Sequence, residues 1–380
     1  MAPAPSYPLL PFSQLVYDST RWMPQVYRFP FVYRWKDGAK EKERIEQAIR
    51  TAVANHPVFQ MRTDWRGRQY PSLSQDVLNG QYHRVSFHID GEHLLVSGFL
   101  GRLLGDGFSL RVLMEDIRRA YEGKSLEQDD YWDYLDYIEQ QKKSKHYADS
   151  KTWLVNEFAD LSIPVRPAID RCLWTLLPTK VGRYTSDYSD LHGAINSLAE
   201  TECLSMDGFF SLCTALAIAD YCDTDKAALT WAYEGRERPE EQRIFGSLHR
   251  DIPFKINRKS KIENQKSDLI RQARNQIRSG IAHSDYPYTL TAPYNKRWNY
   301  AVNVLRVEDE AELIKSLPGS VELVPSPPQK YAYALLDVEI HETDECLVLW
   351  FRYSATHYKE SSIRRFAALV RKYAEWLLEE

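Results

Sequence analysis

The stretch LGRLLGDGFS, residues 100–109, decides how the fold of this chain is interpreted. Its apolar start is typical of a strand, and Asp106-Gly107 is a turn signal. The following SLRVLMEDIRRAYEG has the apolar spacing of an amphipathic helix, with Ser109 as its predicted cap and Gly123 as its predicted stop. The stretch therefore predicts a strand, a tight acidic turn and a helix in direct succession.

The residues before this stretch also predict an alternation of strands and helices. Residues 31–35 are aromatic and β-branched, which favours a strand, and Asp37-Gly38 marks a turn. HRVSFHID and HLLVSGFLG form a predicted hairpin around Asp90-Gly91. Between the first strand and this hairpin, His56-Pro57 ends a run of apolar side chains at helical spacing. These side chains are Ile45, Ala48, Ile49, Ala52 and Val53.

The second half of the chain repeats this alternation. Residues 129–158 predict two helices, and the proline-containing residues 161–172 are the predicted linker. Further helices are predicted for residues 205–222, 263–280 and 359–380, with strands near residues 226–233 and 297–307 and a hairpin within residues 331–354. The pattern predicts an α/β (α+β) protein in which helices flank mixed sheets.

Composition limits the classes of function. The net charge is −4 and the pI is about 6.2, so no global basic field attracts nucleic acid or an anionic membrane. The longest apolar run is far shorter than the ~20 residues that a membrane-spanning helix needs. The start of the chain has no signal-peptide pattern, and the five cysteines form no CxxC pair. A cytoplasmic protein with free thiols is therefore expected.

No motif for a metal or a tightly bound cofactor is found. His83, His88 and His93 stand five positions apart, which fits neither a helix face nor a metal-binding turn. They are predicted to be solvent-facing strand histidines. The sequence also lacks a phosphate-binding loop, a dinucleotide fingerprint and a GxSxG elbow.

The order of the motifs resembles that of the condensation domains of nonribosomal peptide synthetases, in the chloramphenicol acetyltransferase-like superfamily. YPLLPFSQLVY is similar to the opening segment of that family, and ERIEQAIRTAVANHP to the helix that ends in a His-Pro pair. GRLLGDGFSL matches the HHxxxDG strand, turn and helix, including the serine that follows. GRERPEEQRIFGSLHRDIPFKI resembles the later segment that begins Gly-Arg, and the resemblance covers nearly the whole chain.

The resemblance implies two chloramphenicol acetyltransferase-like lobes, expected over residues 1–165 and 166–380, in a V shape with a central channel. In active relatives, two phosphopantetheine arms of carrier proteins enter this channel, and the second histidine of HHxxxDG faces their meeting point. It thus implies carrier- or CoA-linked acyl substrates and no tightly bound cofactor.

The two histidine positions of that motif are occupied by Gly101 and Arg102. A guanidinium stays protonated at any working pH, so Arg102 cannot accept a proton as histidine does. It is able to bind a carboxylate or phosphate, to stabilise an oxyanion, to fill the channel, or to form a salt bridge with a channel acid. A direct catalytic role for Arg102 is less favoured than either a salt bridge or ligand binding.

The resemblance also suggests roles for neighbouring residues. Asp106 is implied to be architectural and to pair with an arginine that usually follows the His-Pro pair. Gln60 occupies that arginine's place, so the pairing is expected to be lost or transferred to Arg62. Gly107 is expected to serve a turn with positive φ.

Arg236, in GRERP, and Ser109 are further candidate channel or structural residues. Arg250-Asp251 replace the family's usual Asn-Thr pair. Several candidate site positions therefore differ from the family pattern together, which is typical of relaxed catalytic demand.

Two functions remain open. The first is a condensation-like domain without the catalytic histidine that serves as a docking platform for carrier proteins, adjacent synthetase modules or a tailoring enzyme. The X-domains of glycopeptide synthetases also carry Arg at the second histidine position and recruit haem monooxygenases, although Gly107 replaces their usual second Asp. The second is an active acyltransferase that forms an amide or ester by positioning its substrates. The sequence does not distinguish a free-standing protein from an excised module.

Overall fold

The helices and strands follow the predicted alternation closely. The computed structural model describes residues 6–20, 27–72, 76–160, 162–171, 179–258, 265–288, 301–307, 309–325, 331–332, 334–344 and 346–379. Its strands are β1 Tyr7–Pro8, β2 Arg28–Trp35, β3 Met61–Thr63, β4 Arg68–Pro71, β5 His83–Asp90, β6 His93–Gly101, β7 Thr179–Asp187, β8 Lys226–Tyr233, β9 Arg250–Asn257, β10 Asn303–Arg306, β11 Val321–Leu323, β12 Tyr331–Ala332, β13 Leu336–Glu342 and β14 Leu347–Ser354. Its α-helices are α1 Pro11–Thr20, α2 Lys42–Asn55, α3 Gly107–Tyr121, α4 Tyr131–Gln141, α5 Lys145–Glu157, α6 His192–Glu202, α7 Met206–Tyr221, α8 Gln265–Ala282, α9 Glu310–Ile314 and α10 Glu360–Leu378.

The chain forms two compact units, each built from several chain segments. The first contains residues 1–141, 234–249 and 308–329, and the second contains the remaining residues. The expected lobes, residues 1–165 and 166–380, are two successive segments and do not coincide with these units. The reason is that later segments complete the first unit: β11 pairs with β2, and residues 234–249 pack against the start of α3.

The first unit contains a four-stranded antiparallel sheet in the order β11-β2-β6-β5 and a small sheet in the order β1-β4-β3. The predicted hairpin is confirmed, because β5 pairs with β6 and Gly91 turns the chain with a φ of 62°. α2 and α3 contribute their apolar faces to one core with this sheet. All five residues predicted for the buried face of α2 are buried.

The second unit contains a mostly antiparallel seven-stranded sheet in the order β12-β7-β14-β13-β10-β8-β9. β10 is parallel to both β8 and β13. α7 is buried along almost its whole length, and α10 contributes a single apolar face to the same core. A helix that is apolar all round must be covered on every side, which explains why α7 lies at the centre of this unit. Part of the predicted strand at residues 297–307 lies outside the described residues.

No single helix in the described ranges has the length and apolar character to cross a membrane; one pair, spanning Ser189–Glu202 and Met206–Tyr221, meets those criteria together but is bent by 103°.

Candidate functional site

The site is built around the first turn of α3, where the predicted turn residue Asp106 is the N-cap. Its carboxylate accepts a hydrogen bond from the Ser109 amide (3.0 Å), and the Ser109 hydroxyl accepts one from the Asp106 amide (3.2 Å). This reciprocal pair is a capping box. The prediction that Ser109 is the N-cap was wrong, because the helix begins at Gly107 and Ser109 is already its third residue. Gly107 is the first helical residue and has no positive φ, so that expectation was wrong as well.

The Asp106 carboxylate is surrounded by hydrogen-bond donors. Besides the Ser109 amide and hydroxyl, it accepts from the Leu248 amide (2.9 Å) and the His249 amide (3.1 Å). The two terminal nitrogens of Arg236 add a bidentate ion pair at 2.9 and 3.0 Å. A carboxylate with this many partners is held in place and has no free lone pair for a substrate proton. These contacts hold the Asp106 carboxylate at the first turn of α3.

Arg236 is the arginine partner of Asp106, and the expected transfer of this pairing to Arg62 is wrong. The Arg236 side chain is fully buried and lies against the ring of Phe108. It also donates to the carbonyls of Glu234, Ile244 and Gly246. A guanidinium has five donors in a fixed fork, so it can join a carboxylate and several carbonyls at once. The signal in the sequence is the Gly-Arg at the start of GRERP, which the sequence analysis did not connect with Asp106.

The pKa of Asp106 is shaped by two opposing effects. Burial raises the pKa of this carboxyl, whereas the Arg236 guanidinium beside it, with further hydrogen bonds, lowers the pKa more strongly. The net pKa lies below the ordinary value, so Asp106 is ionised at neutral pH. Asp106, which the motif retains, thus carries a negative charge that the positive charge of Arg236 balances.

Gly101 and Arg102, at the end of β6, form the altered half of the motif. The Gly101 amide donates to the carbonyl of Tyr82 at 2.7 Å, and a Cβ atom at residue 101 would lie 2.9 Å from that oxygen. The backbone approach at this position therefore favours glycine over histidine. The Arg102 guanidinium lies over the rings of Phe12 (5.0 Å) and Phe29 (5.8 Å). These two contacts are cation–π interactions, which position the guanidinium while it keeps its positive charge.

His249 is a functional candidate that the sequence analysis missed. Its ring packs edge-on against Phe12, with centroids 4.0 Å apart, and its Nδ1 lies 3.9 Å from Asp106 Oδ2. Burial is the main cause that lowers the pKa of His249 to about 4; the Asp106 carboxylate opposes this shift, and the guanidinium groups of Arg102 and Arg236 add to it. Its Nε2 has no hydrogen-bond partner among the described residues. An unprotonated imidazole thus lies beside the position that Arg102 occupies.

The remaining candidates have their own partners or exposure. Arg250 is at the start of β9 in the second unit, where it donates to Ser284 Oγ (2.7 Å) and Asp285 Oδ1 (3.0 Å). Arg62 is exposed on β3 in the first unit. His83 is buried and its Nε2 is 2.8 Å from the carbonyl of Val77, so its prediction as a solvent-facing histidine was wrong. The structure therefore brings together Asp106, Ser109 and Arg236.

Comparisons with known proteins agree with this organisation. A family model described as "Condensation domain" matches residues 103–379. No curated protein gives a significant match. The X-domain from teicoplanin biosynthesis is similar over 100% of this chain and 96% of its own, with 15% identity and a TM-score of 0.78. A complex of that X-domain with OxyB matches over 100% of this chain and 94% of the other, with 16% identity and a TM-score of 0.76.

A third similar structure is the starter condensation domain of rhizomide synthetase, an R148A mutant in complex with C8-CoA. It is 14% identical, with a TM-score of 0.73 over 98% of this chain and 94% of the other. At such identities, the likeness concerns the fold alone. The predicted fold class is confirmed: the mixed sheets and helices match the two-lobed fold of these structures.

Proposed function

Because this chain belongs to the condensation-domain family of nonribosomal peptide and natural-product biosynthesis, we propose that it is a condensation-like domain with impaired catalysis that serves as a docking platform. Its partner is a carrier protein or a tailoring enzyme. Phosphopantetheine-linked acyl groups are the substrates that such partners bring. The free thiols of Cys203, Cys213, Cys222 and Cys346 support a reducing, cytoplasmic setting.

The observation that carries this proposal is the contrast within one motif. The Asp106–Arg236 pair that supports the fold is kept with all its hydrogen bonds, whereas neither Gly101 nor Arg102 offers a group that accepts a proton. Amide formation from a thioester requires a route for the proton of the attacking amine. A site that keeps its scaffold and loses this route fits binding better than turnover.

The similar structures support the choice of partner. The X-domain of teicoplanin biosynthesis has been seen in complex with OxyB, and the starter condensation domain of rhizomide synthetase in complex with C8-CoA. Transferred to this chain, these likenesses suggest an enzyme partner for the platform and a pantetheine-linked acyl group for the altered motif. Arg102 would contact the incoming anionic or carbonyl group.

Binding of purified partners tests the platform. Carrier proteins loaded with phosphopantetheine, and tailoring enzymes encoded beside this chain, are passed over the immobilised protein. We expect one of them to bind with a Kd of about 1–10 μM, as is common for transient complexes. Arg28→Ala is the matched control for Arg102→Ala, because Arg28 also lies over a phenylalanine ring, that of Phe99. Failure of every partner to bind would contradict the platform.

His249 favours a second candidate, an active acyltransferase. Its imidazole is unprotonated at neutral pH and adjoins the altered motif, but its Nε2 is buried, so it accepts a hydrogen bond from an amine only if the surrounding side chains move. With a pKa of about 4 it is a weak base, and its contribution would be to orient the nucleophile while Arg102 stabilises the oxyanion.

A condensation assay separates the two candidates. Carrier-bound and CoA-bound acyl donors are mixed with a panel of amines and alcohols, and product is measured by mass spectrometry. The platform predicts no product above the uncatalysed background. Product that disappears in both His249→Gln and Arg102→Ala, but persists in Arg28→Ala, would instead establish the acyltransferase.

A further inference from the structure

A cavity of about 460 Å³ lies in the first unit, beside the small sheet that contains β3 and β4. We call it the β3–β4 pocket, and its volume is within the ~300–1,000 Å³ range of small-molecule sites. Its lining residues come from the end of the 3₁₀ turn before β3, from both strands, and from residues 79–81. They are Phe59, Gln60, Met61, Arg62, Thr63, Tyr70, Ser72, Asn79, Gly80 and Gln81.

The wall formed by residues 79–81 is held in place by side-chain contacts. Gln81 Oε1 accepts from the Thr63 amide at 3.1 Å, and Gln81 Nε2 donates to the hydroxyls of Thr63 (3.3 Å) and Tyr82 (3.0 Å). Gly80 packs so closely against the buried ring of His83 that a Cβ atom there would lie 2.3 Å from it. Asn79 Nδ2 donates to Asp76 at 2.6 Å. These contacts hold the wall formed by residues 79–81 in place.

Arg62 supplies the charge in this pocket. Asp106 is already paired with Arg236, and the Arg62 side chain has no hydrogen bond or ion pair with any residue in the described part of the chain. The side chains of Gln60, Tyr70 and Ser72 are likewise uncommitted there. None of the described lining residues is acidic. One guanidinium with its five donors thus shares a concave surface with several neutral hydrogen-bonding groups.

The rest of the lining defines the class of ligand. Phe59 and Met61 are almost completely buried, so the apolar surface that the pocket offers a ligand is the ring of half-buried Tyr70, the cross-strand partner of Arg62. A single cation beside an apolar surface matches a ligand with one negative charge and a hydrocarbon body. The planar guanidinium binds a carboxylate through two parallel hydrogen bonds.

We propose that the β3–β4 pocket binds a small organic monocarboxylate, with Arg62 holding the carboxylate and the ring of Tyr70 contacting the apolar body. This site is separate from the altered motif, because neither Arg102 nor Asp106 lines it. It goes beyond the proposed docking function and does not rest on it.

Calorimetry and saturation-transfer NMR on the full chain test this assignment with three probes. Phenylacetate combines a carboxylate with an apolar ring, phenylacetamide has the same shape without charge, and inorganic phosphate has charge without the ring. We expect phenylacetate to bind with a Kd of about 1 mM or tighter, and the other two about tenfold or more weakly, because each lacks half of the recognised chemistry.

Two variants locate the site. Arg62→Gln should weaken phenylacetate binding about tenfold or more, whereas Arg66→Gln, on the same hairpin with its guanidinium over Trp65, should leave it within about twofold. Ser72→Trp fills the cavity and should also prevent binding. Arg62 and Arg66 are exposed, so both arginine variants should fold. Thermal unfolding of each variant checks this.

Several outcomes would overturn the proposal. These are no binding of phenylacetate to the wild-type chain, equal binding of phenylacetamide, or unchanged binding to folded Arg62→Gln or Ser72→Trp. Partner binding by Arg62→Gln, measured as for the platform, distinguishes the two proposals. Failure of the wild-type chain to bind phenylacetate counts against the pocket alone. Failure of the wild-type chain to bind any carrier protein or enzyme counts against the platform alone.

Discussion

Arg236 and Arg102 are two arginines of one motif neighbourhood, and they differ in their burial and in their described partners. Arg236 is completely buried, bidentate to Asp106 and bonded to three backbone carbonyls. Arg102 is half-buried and lies over two phenylalanine rings. The first fixes a scaffold, and the second places a positive charge where the family has a proton acceptor. The motif therefore separates into a structural half that is kept and a chemical half that is replaced.

The largest expected effect breaks the structural half. Arg236→Met removes the only arginine paired with Asp106 in the described structure and leaves a buried carboxylate without its counter-charge. The free energy of unfolding should fall by about 3–5 kcal/mol, measured by urea denaturation. The double variant Arg236→Met/Asp106→Asn should lose less than the sum of the single changes, because the buried charge is gone. Additive losses would contradict the ion pair.

The next effect concerns His249 and depends on pH. Its pKa is about 4 in the folded chain and about 6.5 when unfolded, so the unfolded chain binds the proton first as the pH falls. The contribution of the neutral imidazole is fully present above about pH 6.5 and is lost towards pH 4, with a size of about 3 kcal/mol. His249→Gln should flatten this part of the stability curve relative to wild type. Parallel curves for the two proteins would show that the pKa of His249 is not depressed.

A smaller effect tests why the first histidine position holds glycine. In Gly101→His, the Cβ atom would meet the carbonyl oxygen of Tyr82 at 2.9 Å, and this carbonyl already accepts from the residue 101 amide. Unfolding by urea should show a loss of about 1–3 kcal/mol. Arg102→His is the matched control, with an expected change of under about 1 kcal/mol. An equal cost at both positions would mean that the backbone contact is not what selects glycine.

The smallest effect comes from the chemical half itself. Arg102→Met keeps an unbranched side chain over Phe12 and removes the cation–π contribution, so the free energy of unfolding should change by under about 1 kcal/mol. The same urea experiment as for Arg236→Met gives a direct comparison of the two arginines. A loss as large as that of Arg236→Met would assign Arg102 to the scaffold and remove the distinction.

Much of this arrangement could be predicted from local sequence. The period of the apolar residues in α2, the turn at Gly91 and the apolar character of α7 each depend on neighbours within a few positions. The loss of a proton acceptor at Gly101 and Arg102 is also a property of residue type alone. The error in this local prediction was small: the N-cap of α3 is Asp106 and not Ser109, because the helix begins at Gly107.

Only the tertiary structure decided which partners these residues meet. Arg236 is 130 positions from Asp106 and His249 is 143, and no local pattern indicates which of several arginines reaches a buried carboxylate. The same holds for Arg62, which the motif order suggested for Asp106 and which the fold places in the β3–β4 pocket. The sequence determined which chemistry is available at each position. Long-range packing determined which charges are neutralised and which remain available to bind a ligand, because burial and ion pairing are set by residues far apart in the chain.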